Sequence, residues 1–305
     1  MARPVVARLA LALLLLPAGA AGLAAQGKPR PARPFSARAA AATLFTVNRV
    51  QCGLEAAGML CGQGNASSTD VETFWPRGTP NQYVFAAGLQ VAAVIGPDGG
   101  PWAGDTTGAF FFDTKGTTVH GQVLEPLHLS GDPADAAAWP EAARVPQGDA
   151  GEAIYGPALR GRPFAAQGDV WQLFWDGDSA RKAGRPHPLG VVVEQRTLAW
   201  DYPNGNQDVV YHVATFYNVT STDPAAYAGV RPAMRELLLK QAQAFHRLNP
   251  AAPAGGYTMT DLHVGAMSDD DVGSAGVNYS TVSLPAAMGF SYERGFDLPP
   301  SWTLD

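Results

Sequence analysis

Two cysteines in 305 residues, and charged side chains at only 16%, set the first limits on this chain. No segment beyond the N-terminal region is apolar for the roughly 20 residues that a membrane helix needs. Basic charge is also scarce: 21 Lys and Arg face 27 Asp and Glu, for a formal charge of −6. That balance excludes the phosphate-neutralising surface required for nucleic acid. It equally excludes the polybasic patch that an anionic membrane attracts. Catalytic signatures are missing too, with no G-x-S-x-G, H-E-x-x-H, P-loop or dinucleotide fingerprint in the chain. Gly273-Ser-Ala-Gly276 is one residue too short for a nucleophile elbow and reads as a loop. Without a motif that carries a reaction, the chain leans away from an enzyme.

What is present begins at the N-terminus. Arg3 and Arg8 precede the apolar run Leu9-Ala-Leu-Ala-Leu-Leu-Leu-Leu16, and small residues follow up to Ala25. These are the three regions of a Sec-type signal peptide, assigned to residues 1–25 with cleavage after Ala24 or Ala25. Its apolar core is too short to cross a bilayer. Cleavage would remove two arginines and no acid, moving the formal charge from −6 to −8. The expected destination is outside the cytoplasm: secreted, periplasmic or on the cell surface. The Ala-rich composition points to a bacterial source. Residues 26–42, with Lys28-Pro-Arg-Pro-Ala-Arg-Pro34, are too poor in core-forming side chains to fold and read as a disordered leader.

From 43 to 305 the pattern is that of one β-rich domain. It carries 34 glycines, 25 prolines and abundant aromatic and β-branched residues across the chain, which suit an antiparallel β-sandwich. Tyr83–Ile95 predicts a long strand that turns at Gly96-Pro-Asp-Gly-Gly100 and returns through Gly108–Phe112. Leu189–Trp200 and Asp208–Asn218 predict a hairpin around Asn204-Gly205, where both residues tolerate positive φ. Both faces of the return strand are largely apolar, so it should be covered on both sides. Further strands are expected at Tyr257–Met267, Asn278–Leu284 and Ala287–Phe296. One amphipathic helix is inserted at about 231–249, with Met234, Leu237, Leu238, Phe245 and Leu248 at helical spacing and Asn249-Pro250 ending it. No turn signal or charged tail follows Trp302, so the chain reads as cut short at its C-terminal end.

Four groups of residues invite a chemical reading. Cys52 and Cys61 are close enough in sequence to pair in an oxidising compartment. A disulfide closing so short a loop contributes about 2–3 kcal/mol on the chain-entropy estimate. A reactive dithiol or half of a metal site are the alternatives, and neither C-x-x-C spacing nor a neighbouring histidine supports them. Asp269 and Asp271, in an acidic turn after a strand, are candidate calcium ligands, although turn chemistry alone also explains Asp and Gly there. No other cofactor is implied. Trp171, Trp175, Asp176 and Asp178 combine aromatic faces with carboxylates, the equipment of a glycan contact or a glycosidase. Trp171 and Trp175 alternate with Leu173, however, as the core face of a strand would. His120, His128 and Glu125 could meet at a zinc ion only if the chain folded back on itself.

Phe74-Trp-Pro-Arg-Gly-Thr79 followed by Tyr83-Val-Phe-Ala-Ala-Gly-Leu89 resembles a group of uncharacterised exported bacterial proteins. Leu198-Ala-Trp-Asp201, Asp269-Asp-Asp-Val-Gly273 and Asn278-Tyr-Ser-Thr281 continue the likeness over about residues 45–302. The resemblance implies export and β-architecture and brings no reaction. The expected function is therefore a non-enzymatic binding or cell-surface structural role, with a glycan or surface partner. A secreted carbohydrate-binding or carbohydrate-active protein using 169–178 is the alternative. Oligomeric state is not encoded in any feature of the sequence.

Overall fold

The computed structural model describes residues 6–14, 42–62, 73–79, 81–111, 120–146, 154–181, 184–270, 278–283 and 288–293. Its strands are β1 (Val6–Leu14), β2 (Ala42–Phe45), β3 (Cys52–Glu55), β4 (Thr73–Phe74), β5 (Gln82–Ile95), β6 (Thr106–Phe110) and β7 (Gln122–Leu129). They continue as β8 (Gly168–Trp175), β9 (Val191–Ala199), β10 (Val209–Asn218), β11 (Met259–Asp270), β12 (Asn278–Ser283) and β13 (Met288–Glu293). Among the described residues they are accompanied by the helices α1 (Pro133–Ala137) and α2 (Pro232–Leu248).

The chain is mainly β and every strand pair is antiparallel, the sandwich-like class expected from its composition. One sheet has the order β1-β10-β9-β8-β7. A second has the order β11-β5-β4, with β6 also on β5, and the hairpin β2–β3 joins it through bridges from Gln51 to Phe74 and from Met59 to Gly88. Among the described residues β12 and β13 form a two-stranded sheet of their own.

The five-stranded sheet lies in the middle. Register fixes its two faces, because neighbouring residues alternate sides. Val170, Gln172 and Phe174 of β8 share one face with Val193, Gln195 and Thr197 of β9 and with His212, Ala214 and Phe216 of β10. This face meets the second sheet: Phe45, Cys52, Leu54 and Cys61 pack with Val170, Ala199 and Val210, and Phe111 meets Phe174 at 4.9 Å. On the opposite face lie Trp171, Glu194, Arg196, Leu198 and Tyr217, covered by α2 and by residues of 139–146 and 154–166. Each Val, Leu or Phe buried in these layers contributes about 1.5–3 kcal/mol.

α2 follows its sequence pattern closely. Met234, Leu238, Ala242 and Phe245 recur on one side and are buried. Pro232 sits at its first turn, where its missing N–H costs nothing. Asn249 closes the other end by donating from Nδ2 to the carbonyls of Phe245 and Gly177, 2.9 Å each.

The predicted hairpin forms as β9–β10, but not as a tight Asn-Gly turn. The ladder starts at Leu198 opposite Tyr211, leaving a loop over 200–208 in which Gly205 takes φ +107°. Pro203 has no N–H to continue the ladder. The loop is instead tied from outside, with Asn48 Nδ2 donating to Asn206 O (3.0 Å) and Val209 O (2.8 Å).

β1 is the unexpected element. β1, which takes in residues 9–14 of the stretch read as the apolar core of a signal peptide, pairs over its whole length with β10, from Val6 opposite Tyr217 to Leu14 opposite Val209. Cleavage after Ala24 or Ala25 would take this strand away and leave β10 at the sheet edge. No helix among the described residues is long and apolar enough to cross a membrane.

Candidate functional site

The helix-covered face of the central sheet holds a buried charge network. Asp169 at the start of β8 accepts from Arg196 Nε (2.8 and 3.0 Å to its two oxygens) and from Ala165 N (2.7 Å). Arg196 also donates from Nη2 to Pro163 O (2.9 Å), and its guanidinium lies 5.6 Å from the Tyr155 ring centre. One step along β9, Glu194 accepts from Trp171 Nε1 (3.0 Å), Tyr217 OH (2.8 Å) and Arg231. Burial pushes the Asp169 carboxyl up, against the pull of Arg196. Burial opposes ionisation of Glu194 as well, but Arg231 and the donors around it bring that carboxyl below the ordinary value. Both carboxylates are thereby committed to internal donors.

Asp176 is a second node. Its oxygens accept from Arg185 Nη1 (2.7 Å), Leu189 N (2.7 Å) and Val191 N (2.8 Å), so it anchors the entry into β9. Asp178 accepts from Gln122 Nε2 (2.6 Å) and Ala180 N (2.8 Å), while Gln122 Oε1 accepts from Trp175 Nε1 (3.0 Å). Trp171 and Trp175 are 0% and 4% exposed. The stretch singled out for glycan contact thus folds as an all-buried strand, with Trp171, Trp175 and Asp176 inside and Asp178 half-buried.

The face toward the second sheet carries a different cluster. Cys52 and Cys61 form the expected disulfide, and both are fully buried. His212 of β10 points its Nε2 at Cys61 Sγ, 3.7 Å away, and its Nδ1 lies 3.0 Å from Thr197 Oγ1. Burial pushes the imidazole down to about 3, so the ring is neutral at ordinary pH. Cys52, Cys61 and His212 are the one set of three metal-type ligands brought together among the described residues.

The other candidates are placed as follows. Asp269 lies on β11 opposite Ala86, on the exposed side, and Asp271 falls outside the described residues. His128 Nε2 stands 3.6 Å from Glu125 Oε2, whereas His120 Nδ1 accepts from Phe110 N (3.0 Å). The three do not form a ligand set.

An aromatic groove opens beside the charge network. It has a volume of about 470 Å³ and is lined by Tyr155, Leu159, Leu198, Trp200, Tyr211 and Val213, with Asn206 at its rim. Trp200 and Tyr211 meet edge to face at 5.6 Å, and Tyr202 nearby is 78% exposed. β1 runs along this groove, because Ala12 pairs with Tyr211 and Ala10 with Val213. None of these rings stood out in the sequence. The only signal was Trp200-Asp-Tyr-Pro203, an aromatic loop next to a hairpin.

No family model, curated protein or solved structure matches the chain. Geometry alone therefore carries the functional reading.

Proposed function

We propose that this protein is exported and acts outside the cytoplasm as a non-enzymatic β-sandwich binding module, with the Tyr155–Trp200–Tyr211 groove as its binding locus. The observation that carries this reading is the pairing of an aromatic, half-buried groove with three buried acids, Asp169, Asp176 and Glu194, that are tied into internal bonds. A glycosidase needs one carboxyl group free to protonate a leaving group and another free to attack or to activate water. Asp169, Asp176 and Glu194 instead hold backbone and arginine donors. The disulfide is compatible with an oxidising compartment.

Loss of residues 1–25 would uncover the β10 edge beside the groove, so the mature chain is the form that binds. An edge strand with unpaired N–H and C=O groups next to aromatic pockets favours an extended apolar segment. The test is fluorescence of the mature chain titrated with apolar extended peptides. A response that Trp200→Ala abolishes supports the reading; mature protein that remains silent, or responds equally without Trp200, refutes it.

A second reading has its own support. Tyr155, Trp200 and Tyr211 supply ring faces of the kind on which sugars stack, and Asn206 supplies an amide. A carbohydrate ligand would then sit in this groove rather than on 169–178. Oligosaccharide binding lost in Trp200→Ala, with peptides inert, would select it.

A further inference from the structure

The disulfide lies across the interface of the two sheets from the buried imidazole of His212. Cys52 belongs to β3 and Cys61 to the turn after it, both in the second sheet, while His212 sits on β10 of the central sheet. The two sulfurs and the imidazole nitrogen all lie within 4.8 Å of one another. Thr197, directly opposite His212 in the ladder, holds Nδ1 at 3.0 Å. If that contact is the ring's N–H donated to the hydroxyl, Nε2 turns its lone pair toward Cys61. Second-partner bonding of this kind is how metal-binding histidines are oriented.

We propose that the reduced form of this cluster is a zinc site, with Cys52 Sγ, Cys61 Sγ and His212 Nε2 as ligands. The disulfide takes two electrons from a thiol reductant, which leaves as its own disulfide, and the cysteines gain two protons. Zn²⁺ then binds the two sulfurs as thiolates and releases those two protons. Two thiolates and a neutral imidazole cancel the charge of a divalent ion. A monovalent ion in the same ligands would leave a net negative charge among Phe45, Leu54, Ala199 and Val210, where an uncompensated charge is costly. Zinc accepts this ligand chemistry, at about 2.3 Å to sulfur and 2.0–2.1 Å to nitrogen. The site is thus a staple with two states. Oxidised, it closes the 52–61 loop; reduced and metallated, it also joins that loop to the opposite sheet.

The test uses the whole chain, reduced with a dithiol, desalted without oxygen and titrated with Co²⁺. One Co²⁺ per chain should bind, with tetrahedral visible bands and thiolate-to-cobalt charge transfer. One equivalent of Zn²⁺ should bleach both, and zinc binding should release two protons per ion. The oxidised protein should show neither band. His212→Gln should weaken binding and alter the visible bands. Thr197→Val, which removes only the orienting hydroxyl, should weaken zinc about ten- to a hundredfold. If reduction unfolds the chain, recovery of its native circular dichroism with one equivalent of Zn²⁺ sustains the proposal, and no recovery overturns it. Folded reduced protein that takes up no Co²⁺ overturns it too. So does unchanged affinity and spectrum in His212→Gln, or in Thr197→Val where the first variant does not fold.

Discussion

His212 is a titratable side chain that folding keeps neutral. In the unfolded chain an imidazole takes up a proton at about 6.5, whereas burial holds that of His212 down to about 3. Between those two values the unfolded state binds more protons than the native state, so stability rises with pH across this window and falls as the solution is acidified. Glu194, whose carboxyl is lowered in the fold, adds to the loss further down, while Asp169, whose carboxyl is raised, offsets part of it. Urea midpoints measured from pH 7 down to 4 should therefore decline steadily, and His212→Gln should flatten the upper part of that decline. A variant with the same slope as the parent would show that His212 is not the group responsible. Arg196 gives a second residue-scale expectation. Replacing it with Ala leaves Asp169 buried without its partner, a loss of about 3–5 kcal/mol, readable by urea denaturation. Replacing both partners with apolar side chains of similar size should cost far less.

These residues were hard to read in the sequence for a physical reason. Asp169 and Asp176 look alike whether they face solvent or the core, because the distinction depends on Arg196, Arg185 and the backbone of β9; the alternation of Trp171, Leu173 and Trp175 did mark a core face. His212 lies 151 positions from Cys61, so no spacing could reveal their approach. The pairing of Cys52 with Cys61 was legible, since they stand nine positions apart and closure is local.

At the scale of elements, β-branched runs and end signals carried most of the information. Val191-Val-Val193 and Val209-Val210 fall in β9 and β10, and the helix lies within one residue of its expected limits. β7 escaped notice because Pro126 interrupts it and its buried residues fall only near its end. β1 escaped because an Ala-Leu run behind arginines has the form of a signal peptide, and pairing with β10 is a long-range event. The junction into β9 offers a direct check. Gly190 has φ +73°, and a Cβ there would lie 2.6 Å from Thr220 Cγ2 and 3.0 Å from the Phe245 ring. Gly190→Ala should cost more than about 1 kcal/mol through strain and crowding together. Thermal unfolding with an unchanged midpoint would mean that this junction is free to shift.

For the whole molecule, a central sheet covered by a second sheet on one side and by α2 and residues of 139–146 and 154–166 on the other explains why so many polar side chains are inside. They wire the layers together: Gln172 holds the β3 end through Ala57 N (3.1 Å), and Arg231 joins α2 to Glu194. The aromatic groove lies where this wiring stops, beside the strand that export would remove. The proposed role therefore depends on which form of the chain exists outside the cell. The most direct measurement is the intact mass of the protein recovered from its producing cells and their medium. A mass that shows the loss of residues 1–24 or 1–25 and of two hydrogens is the result expected of an exported, disulfide-closed module. A chain that keeps Met1–Ala24 and both free thiols would contradict it, and β1 would then be a permanent strand of the sheet.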